Sequence, residues 1–152
     1  MESIAKKSFV VVALHFGIGV IVLLCCMGMN LKGLPGYANL IMLFIGVAIL
    51  YCMWVVVDYF RMPNDPIVIS ADRKSIILNK SINLSYEAIV GVEAKVARGK
   101  YGIEYPYGTV KVCTVLKDYK IKYIADCETV AEIIKKWRAE QEETYVNRSE
   151  AL

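Results

Sequence analysis

FVVVALHFGIGVIVLLCCMGM, residues 9–29, runs for 21 positions with His15 as its one plainly ionisable side chain. At about 1.5 Å per residue, a helix of that length crosses the roughly 30 Å hydrocarbon core of a bilayer. A second run, LIMLFIGVAILYCMWVVV, occupies residues 40–57. A helix buried in a soluble core is seldom apolar on every face for so long, so both runs read as membrane-spanning helices. The link between them holds Asn30, Lys32, Gly33, Pro35 and Gly36. These are turn residues, and they make the pair a hairpin.

Working outward, the hairpin accounts for the composition. Of 152 residues, 57% are hydrophobic, above the 45–50% of an ordinary soluble domain by a comparable count. The surplus lies in the two runs, and the chain from Arg61 onward is ordinary. About 90 residues remain there, enough for one small domain and too few for a large catalytic core. A net charge of only +3, with so much apolar content, also excludes a disordered chain.

Lysine and arginine near the span ends set the expected orientation. Lys6 and Lys7 precede the first run, Arg61, Arg73 and Lys74 follow the second, and Lys32 stands alone between them. Both termini are therefore expected in the cytoplasm. Tyr37, Trp54 and Tyr59 suit interfacial anchoring.

Ala13 and Gly17 form a small-x-x-x-small pattern that suggests a helix-packing seam. His15 is read as a neutral, hydrogen-bonded histidine, because neither span offers a second histidine or a carboxylate to complete a proton or metal site. The five cysteines are Cys25, Cys26, Cys52, Cys113 and Cys127. None makes a CxxC or stands at zinc-ligand spacing with histidine, so no metal site is expected. The vicinal pair Cys25-Cys26 partly resembles small mercury-transport proteins, but the second thiol pair of that family is missing here.

Past residue 61 the pattern changes. Met62-Pro63-Asn64-Asp65-Pro66 ends the second helix, and short extended segments follow. They include residues 67–70, 75–80, 81–86 and 88–98. Residues 99–108, rich in glycine and tyrosine, read as a loop. Residues 110–117 and 119–124 then form the best hairpin. A turn centred between Lys117 and Asp118 would pair Leu116 with Tyr119, Thr114 with Ile121 and Val112 with Tyr123, giving one apolar inner face. Lys111, Val115, Lys120 and Lys122 would point outward. A closing helix begins at Asp126, the expected N-cap. Val130, Ile133, Ile134 and Trp137 share one of its faces, and it is expected to fray beyond about Glu143.

The expected division is therefore a transmembrane hairpin in residues 1–61, a cytoplasmic domain in residues 66–144 and a polar tail in residues 145–152. The fold class is an α+β membrane protein. Its domain is a β-barrel of six to seven antiparallel strands capped by a C-terminal amphipathic helix.

The chain resembles the bacterial pleckstrin-homology (PH-like) membrane proteins. The resemblance rests on Tyr86-Glu-Ala-Ile89 with Gly91-Val92-Glu93, and on Gly108-Thr-Val-Lys-Val. Its most similar part is the tail Tyr119-Lys-Ile-Lys-Tyr-Ile-Ala-Asp126-Cys-Glu-x-Val130-Ala131 followed by Ile133-Ile134. It covers about Pro66 to Trp137 and implies a PH-like barrel behind two transmembrane helices. It also implies the inner membrane of a bacterium, and interaction rather than chemistry.

The residues themselves point the same way. No HExxH, GxSxG, P-loop or glycine-rich dinucleotide motif is present. Neither an enzyme activity, a cofactor nor a nucleic-acid partner is expected. The leading expectation is a membrane-anchored module that holds a second copy of itself or another membrane protein. Tyr101, Ile103, Tyr105 and Tyr107 are its candidate contacts, since tyrosine is enriched at interfaces. Two alternatives remain. One is anionic-lipid sensing through Arg98, Lys100, Lys111, Lys120 and Lys122. The other is a small metal-transport or channel component using Cys25-Cys26.

Overall fold

A computed structural model describes residues 2–28 and 35–150. The chain divides into two units. Phe9–Arg61 forms one, and the flanking chain, up to Ser8 and from Met62 onward, forms the other.

The first unit holds α1 (Val10–Gly28) and α2 (Pro35–Arg61). α1 starts on backbone alone, with the Phe9 carbonyl accepting from Val12 and Ala13 at 3.0 and 3.2 Å. α2 opens on a proline, whose missing N–H costs nothing at a first turn. It closes at Arg61, one residue before the pre-proline position Met62, where the α region is disfavoured. Both helices are long and apolar enough to cross a membrane. α2 outruns the expected 40–57 at both ends. Residues 29–34, most of the expected Gly-Pro link, lie outside the described residues.

The second unit holds seven strands and a helix. β1 (Glu2–Ala5), β2 (Ile67–Ile69), β3 (Ser75–Leu78) and β4 (Ile82–Ser85) make one antiparallel sheet in that order. β5 (Ile89–Arg98), β6 (Glu104–Thr114) and β7 (Asp118–Ile124) make the other. A 3₁₀ turn at Tyr86–Ala88 carries the chain from the first sheet to the second. The α+β class is thus observed, as two antiparallel sheets with helices.

β1 departs from the expected division. The sequence assigned residues 1–61 to the hairpin, yet Glu2 pairs with Ile69, Ser3 with Val68 and Ala5 with Ile67. Ala5 is fully buried in the core of the β unit. The strand is too short to show a period, and its basic follower Lys6-Lys7 reads as a membrane flank. The two helices are therefore spliced into the connection between the first two strands of one sheet.

Beyond β1 the chain continues beside the last strand. The Lys6 carbonyl accepts from Ala125 N–H at 3.0 Å, and Ser8 N–H donates to the Tyr123 carbonyl at 2.8 Å. Lys7 stands opposite Ile124 in the antiparallel sense. Two further bonds tie this segment to the chain returning from α2. Lys7 Nζ donates to the Met62 carbonyl at 3.0 Å, and Ser3 Oγ to Asp65 Oδ1 at 2.6 Å.

Turn chemistry fixes the sheet ends. Asn79 and Lys80 both have positive φ, 49° and 61°, and Ser81 N–H closes on the Leu78 carbonyl at 3.1 Å. This is the mirror-type turn whose twist suits a hairpin.

The β6–β7 register differs from the expected one. Val112 lies opposite Tyr119, Cys113 opposite Asp118, Lys111 opposite Lys120 and Val110 opposite Ile121. Lys117-Asp118 has neither asparagine nor glycine to hold a tight mirror turn. Thr114 makes a wider one instead. Its hydroxyl donates to the Lys117 carbonyl at 2.6 Å and accepts from Lys117 N–H at 3.2 Å. Leu116, expected to face inward, is 95% exposed at the apex.

α3 (Cys127–Glu150) closes the unit. Asp126 stands at its N-cap position with a left-handed backbone, φ 48°, and its carbonyl accepts from Val130 at 3.1 Å. Cys127, Val130, Ala131, Ile134 and Trp137 are buried at helical spacing. Ile133, expected on that face, is exposed, and Ala131 takes its place. The helix also runs on past Glu143, where fraying was expected, and takes in most of the expected polar tail. Opposite it, Ile67, Ile76, Leu78, Ile89, Val110, Val112, Ile121 and Ile124 are sealed from solvent.

Candidate interaction surfaces

The four residues expected to form one contact loop divide into two pairs. The β5–β6 loop is shorter than expected, because β6 begins at Glu104 and takes in Tyr105 and Tyr107. Gly99 N–H donates to the Ile103 carbonyl at 2.8 Å, and Gly102 supplies the positive φ of 76° that the tight loop needs. Tyr101 and Ile103 project from this loop, 85% and 63% exposed. Tyr105 and Tyr107 sit two apart on one face of β6 and are half-buried. Their rings stack at 5.6 Å between centroids and 18° between planes. With Val96, Asp126, Cys127 and Thr129 they line a shallow depression of about 200 Å³. Burial pushes the Cys127 thiol up, with Glu128 adding to the effect, so it stays protonated there.

The five basic candidates also separate. Arg98 is clipped to Glu104 across the hairpin, with Nη2 at 2.8 Å and Nε at 3.1 Å from the same carboxylate oxygen. Lys111 reaches Asp118 at 2.9 Å and Glu93 at 3.6 Å. The Asp118 bond raises the Lys111 pKa and lowers that of Asp118. Lys100 lies in the β5–β6 loop, exposed, while Lys120 and Lys122 are exposed on β7. Arg98 and Lys111 are thus ion-paired within the fold. Lys100, in the β5–β6 loop, is on a different element from Lys120 and Lys122 of β7.

In the helical unit the expected seam is displaced by half a turn. Ala13 is exposed, and a Cβ added at Gly17 would meet nothing within 4 Å. Gly19 is the glycine that faces α2, where an added Cβ would come 4.0 Å from Cys52 Cβ. His15 bonds within its own helix, Nδ1 donating to the Val11 carbonyl at 2.8 Å. Its ring lies 6.3 Å from that of Tyr51. Cys25 and Cys26 are free thiols. Among the described residues, no three histidine, cysteine or carboxylate side chains gather as metal ligands.

Two features escaped the sequence reading. One is β1. The other is the β6–β7 apex, where Val115 is 80% and Leu116 95% exposed. Thr114, three residues before Lys117, was the available signal, since a threonine hydroxyl bonds nearby backbone and sets a turn.

Compared with models of known protein families, with curated proteins and with solved structures, the chain matches none.

Proposed function

We propose that this chain is a membrane-anchored, non-catalytic PH-like interaction module at the cytoplasmic face of a bacterial inner membrane, holding a second copy of itself or another membrane protein. The observation that carries the reading is the splice. β1 pairs with β2 across the whole apolar insertion, so both ends of the helical hairpin belong to one folded unit. A hairpin inserted this way leaves and returns on one side of the bilayer. The basic flanks Lys6, Lys7, Arg61, Arg73 and Lys74 make that side the cytoplasm. Only Phe9 separates the bonded Ser8 from α1 in the chain.

The PH-like reading draws support from a four-stranded and a three-stranded antiparallel sheet followed by a helix buried against both. The bonds between residues 6–8 and 123–125 support closure of a barrel at that corner. For contacts, Tyr101 and Ile103 are the exposed aromatic and aliphatic pair. The stacked Tyr105 and Tyr107 serve to stiffen the strand behind them. The internal ion pairs of Arg98 and Lys111 weaken the basic-face alternative, which keeps no second observation.

Crosslinking in native membranes tests the reading. The wild-type chain should yield a discrete product, a dimer or a heteromeric adduct. Tyr101→Ser with Ile103→Ser should abolish it while membrane extraction stays unchanged. An undiminished product in the double variant would remove the loop from the interface. Extraction of the wild-type chain by alkaline carbonate would remove the anchor.

A further inference from the structure

An edge strand carries a row of unpaired backbone groups and is a ready template for another strand. Among the described residues the edge strands are β1, β4, β5 and β7. β1 and β4 have four residues each, and β7 meets residues 6–8 at its far end. β5 is ten residues long and pairs with β6 along one side only. Arg138 Nη1 donates to the Val90 carbonyl at 2.7 Å, so α3 occupies the start of the other side. From Gly91 to Ala97 no strand among the described residues takes that side.

The two faces of β5 differ. Val92, Ala94 and Val96 pack in or against the core, while Glu93 and Lys95 are exposed on the other face. Glu93 meets Lys111 at 3.6 Å, but Lys111 is held closer by Asp118, at 2.9 Å. Lys95 stands opposite Thr109, which carries no charge. A single lysine at mid-edge rejects a second copy, as edge strands commonly do. A glutamate and a lysine two residues apart act differently.

An antiparallel strand from a second copy is related to the first by a two-fold axis through the sheet, so one residue stands opposite itself. Residues directly opposite share a face, and their side chains interact. Centring on Glu93 sets carboxylate against carboxylate, and centring on Lys95 sets ammonium against ammonium. Centres on Val92 or Val96 leave both charges unanswered. Centring on Ala94 sets Glu93 opposite Lys95 twice, once on each side of the axis. The same register places Val92 opposite Val96 and Gly91 opposite Ala97. Small then meets small, and a Cβ added at Gly91 would find nothing within 4 Å in the single chain.

We propose that β5 is a self-association edge: two copies pair β5 to β5, antiparallel and centred on Ala94, with a Glu93–Lys95 pair on each side. In strand addition the main-chain hydrogen bonds supply affinity, and the side-chain pattern selects the partner. This rests on the self-association in the reading above and gives it a surface and a register.

Charge-swapped copies test it. Full-length chains with two different tags are co-expressed, extracted in mild detergent and purified through the first tag, and the second tag is measured. Wild-type copies should co-purify. Two copies of Glu93→Lys set lysine against lysine at both pairs, and two copies of Lys95→Glu set glutamate against glutamate. Each should lower recovery about tenfold. Glu93→Lys co-expressed with Lys95→Glu restores opposite charges at both pairs, and recovery should return to the wild-type level. Misfolding cannot produce that return, because the mixture holds the same two chains. Single variants that self-associate undiminished overturn the edge. If Tyr101→Ser with Ile103→Ser then abolishes recovery, self-association belongs to the loop and the interaction module stands. Loss in both single variants without recovery in the mixture overturns the proposal as well. Wild-type copies that fail to co-purify also overturn it, and a heteromeric crosslinking product would still support the module.

Discussion

The β unit and the helical unit are built from the same aliphatic residues and place them oppositely. In the β unit, Ile67, Ile76, Leu78, Ile89, Ile121, Ile124 and Ile134 are shut away from solvent. In the helical unit, Phe16, Leu24, Phe44 and Leu50 are each more than 60% exposed. Seven strands and α3 can surround a volume and supply their own apolar medium. Among the described residues the two helices approach each other near Gly19 and Cys52, and much of their apolar surface stays uncovered. A bilayer covers such surface without a single additional protein contact. The contrast stands beside the length and apolarity that make both helices able to cross a membrane.

The sharpest way to break it is to truncate one large apolar side chain in each unit. Ile134→Ala opens a cavity against the sheets, and should cost about 2–5 kcal/mol. Phe44→Ala, at a site 67% exposed, should stay within about 0.5 kcal/mol in detergent micelles. Urea unfolding of the full chain, followed through Trp137, measures both. Equal losses would mean that the helices too have a protein-built core.

Glycine gives the next largest contrast. A Cβ at Gly108 would overlap Cys127 Sγ and sit 2.5 Å from the Lys95 carbonyl oxygen. Gly108→Ala should therefore destabilise the β unit by about 1–3 kcal/mol. Gly46, with nothing within 4 Å of an added Cβ, should accept alanine and gain slightly in helix propensity. The same urea experiment reads both. A tolerated Gly108→Ala would show that α3 can lift from β6.

This contrast also explains what the sequence disclosed. The helices and the α3 face were legible because each signals by a local period over many residues. Val130, Ile134 and Trp137 fell where spacing put them, although Ile133 yielded to Ala131. The β1–β2 pair was not legible. Its partners are more than sixty residues apart, and four residues carry no period. The β6–β7 register failed for a different reason: it was set by one hydroxyl, Thr114, against an apolar pattern that suited either pairing. The β5–β6 loop was half legible. Composition located Tyr101 and Ile103, but nothing local revealed that Tyr105 and Tyr107 stack on a strand.

A smaller effect should come from the bond that ties α3 to the first sheet. Trp137 Nε1 donates to the Arg73 carbonyl at 3.0 Å, in the β2–β3 turn where Arg73 holds a φ of 56°. Trp137→Phe keeps most of the ring volume and loses the donor, which should cost about 1 kcal/mol. Thermal melting by far-ultraviolet circular dichroism measures it. Trp54→Phe, at an exposed position in the other unit, should leave the transition unmoved. A shift from Trp54→Phe that matched Trp137→Phe would erase the distinction between the units.

The smallest effect is electrostatic, and it too belongs to the β unit alone. Asp118 is held below the usual carboxylate range chiefly by its hydrogen bond to Lys111. A carboxyl depressed in the folded state stabilises the fold at pH values above its unfolded pKa, near 3.9. That contribution fades as pH falls through the lowered folded value. Lys111, raised by the same bond, loses its share only at strongly alkaline pH. Asp118→Asn should therefore lower the melting temperature slightly at neutral pH. The gap from wild type should narrow as pH drops below about 4. Because the pair is exposed, salt should narrow the gap as well. A gap that held constant from neutral to acid pH would assign the loss to turn geometry at Lys117-Asp118 and not to charge.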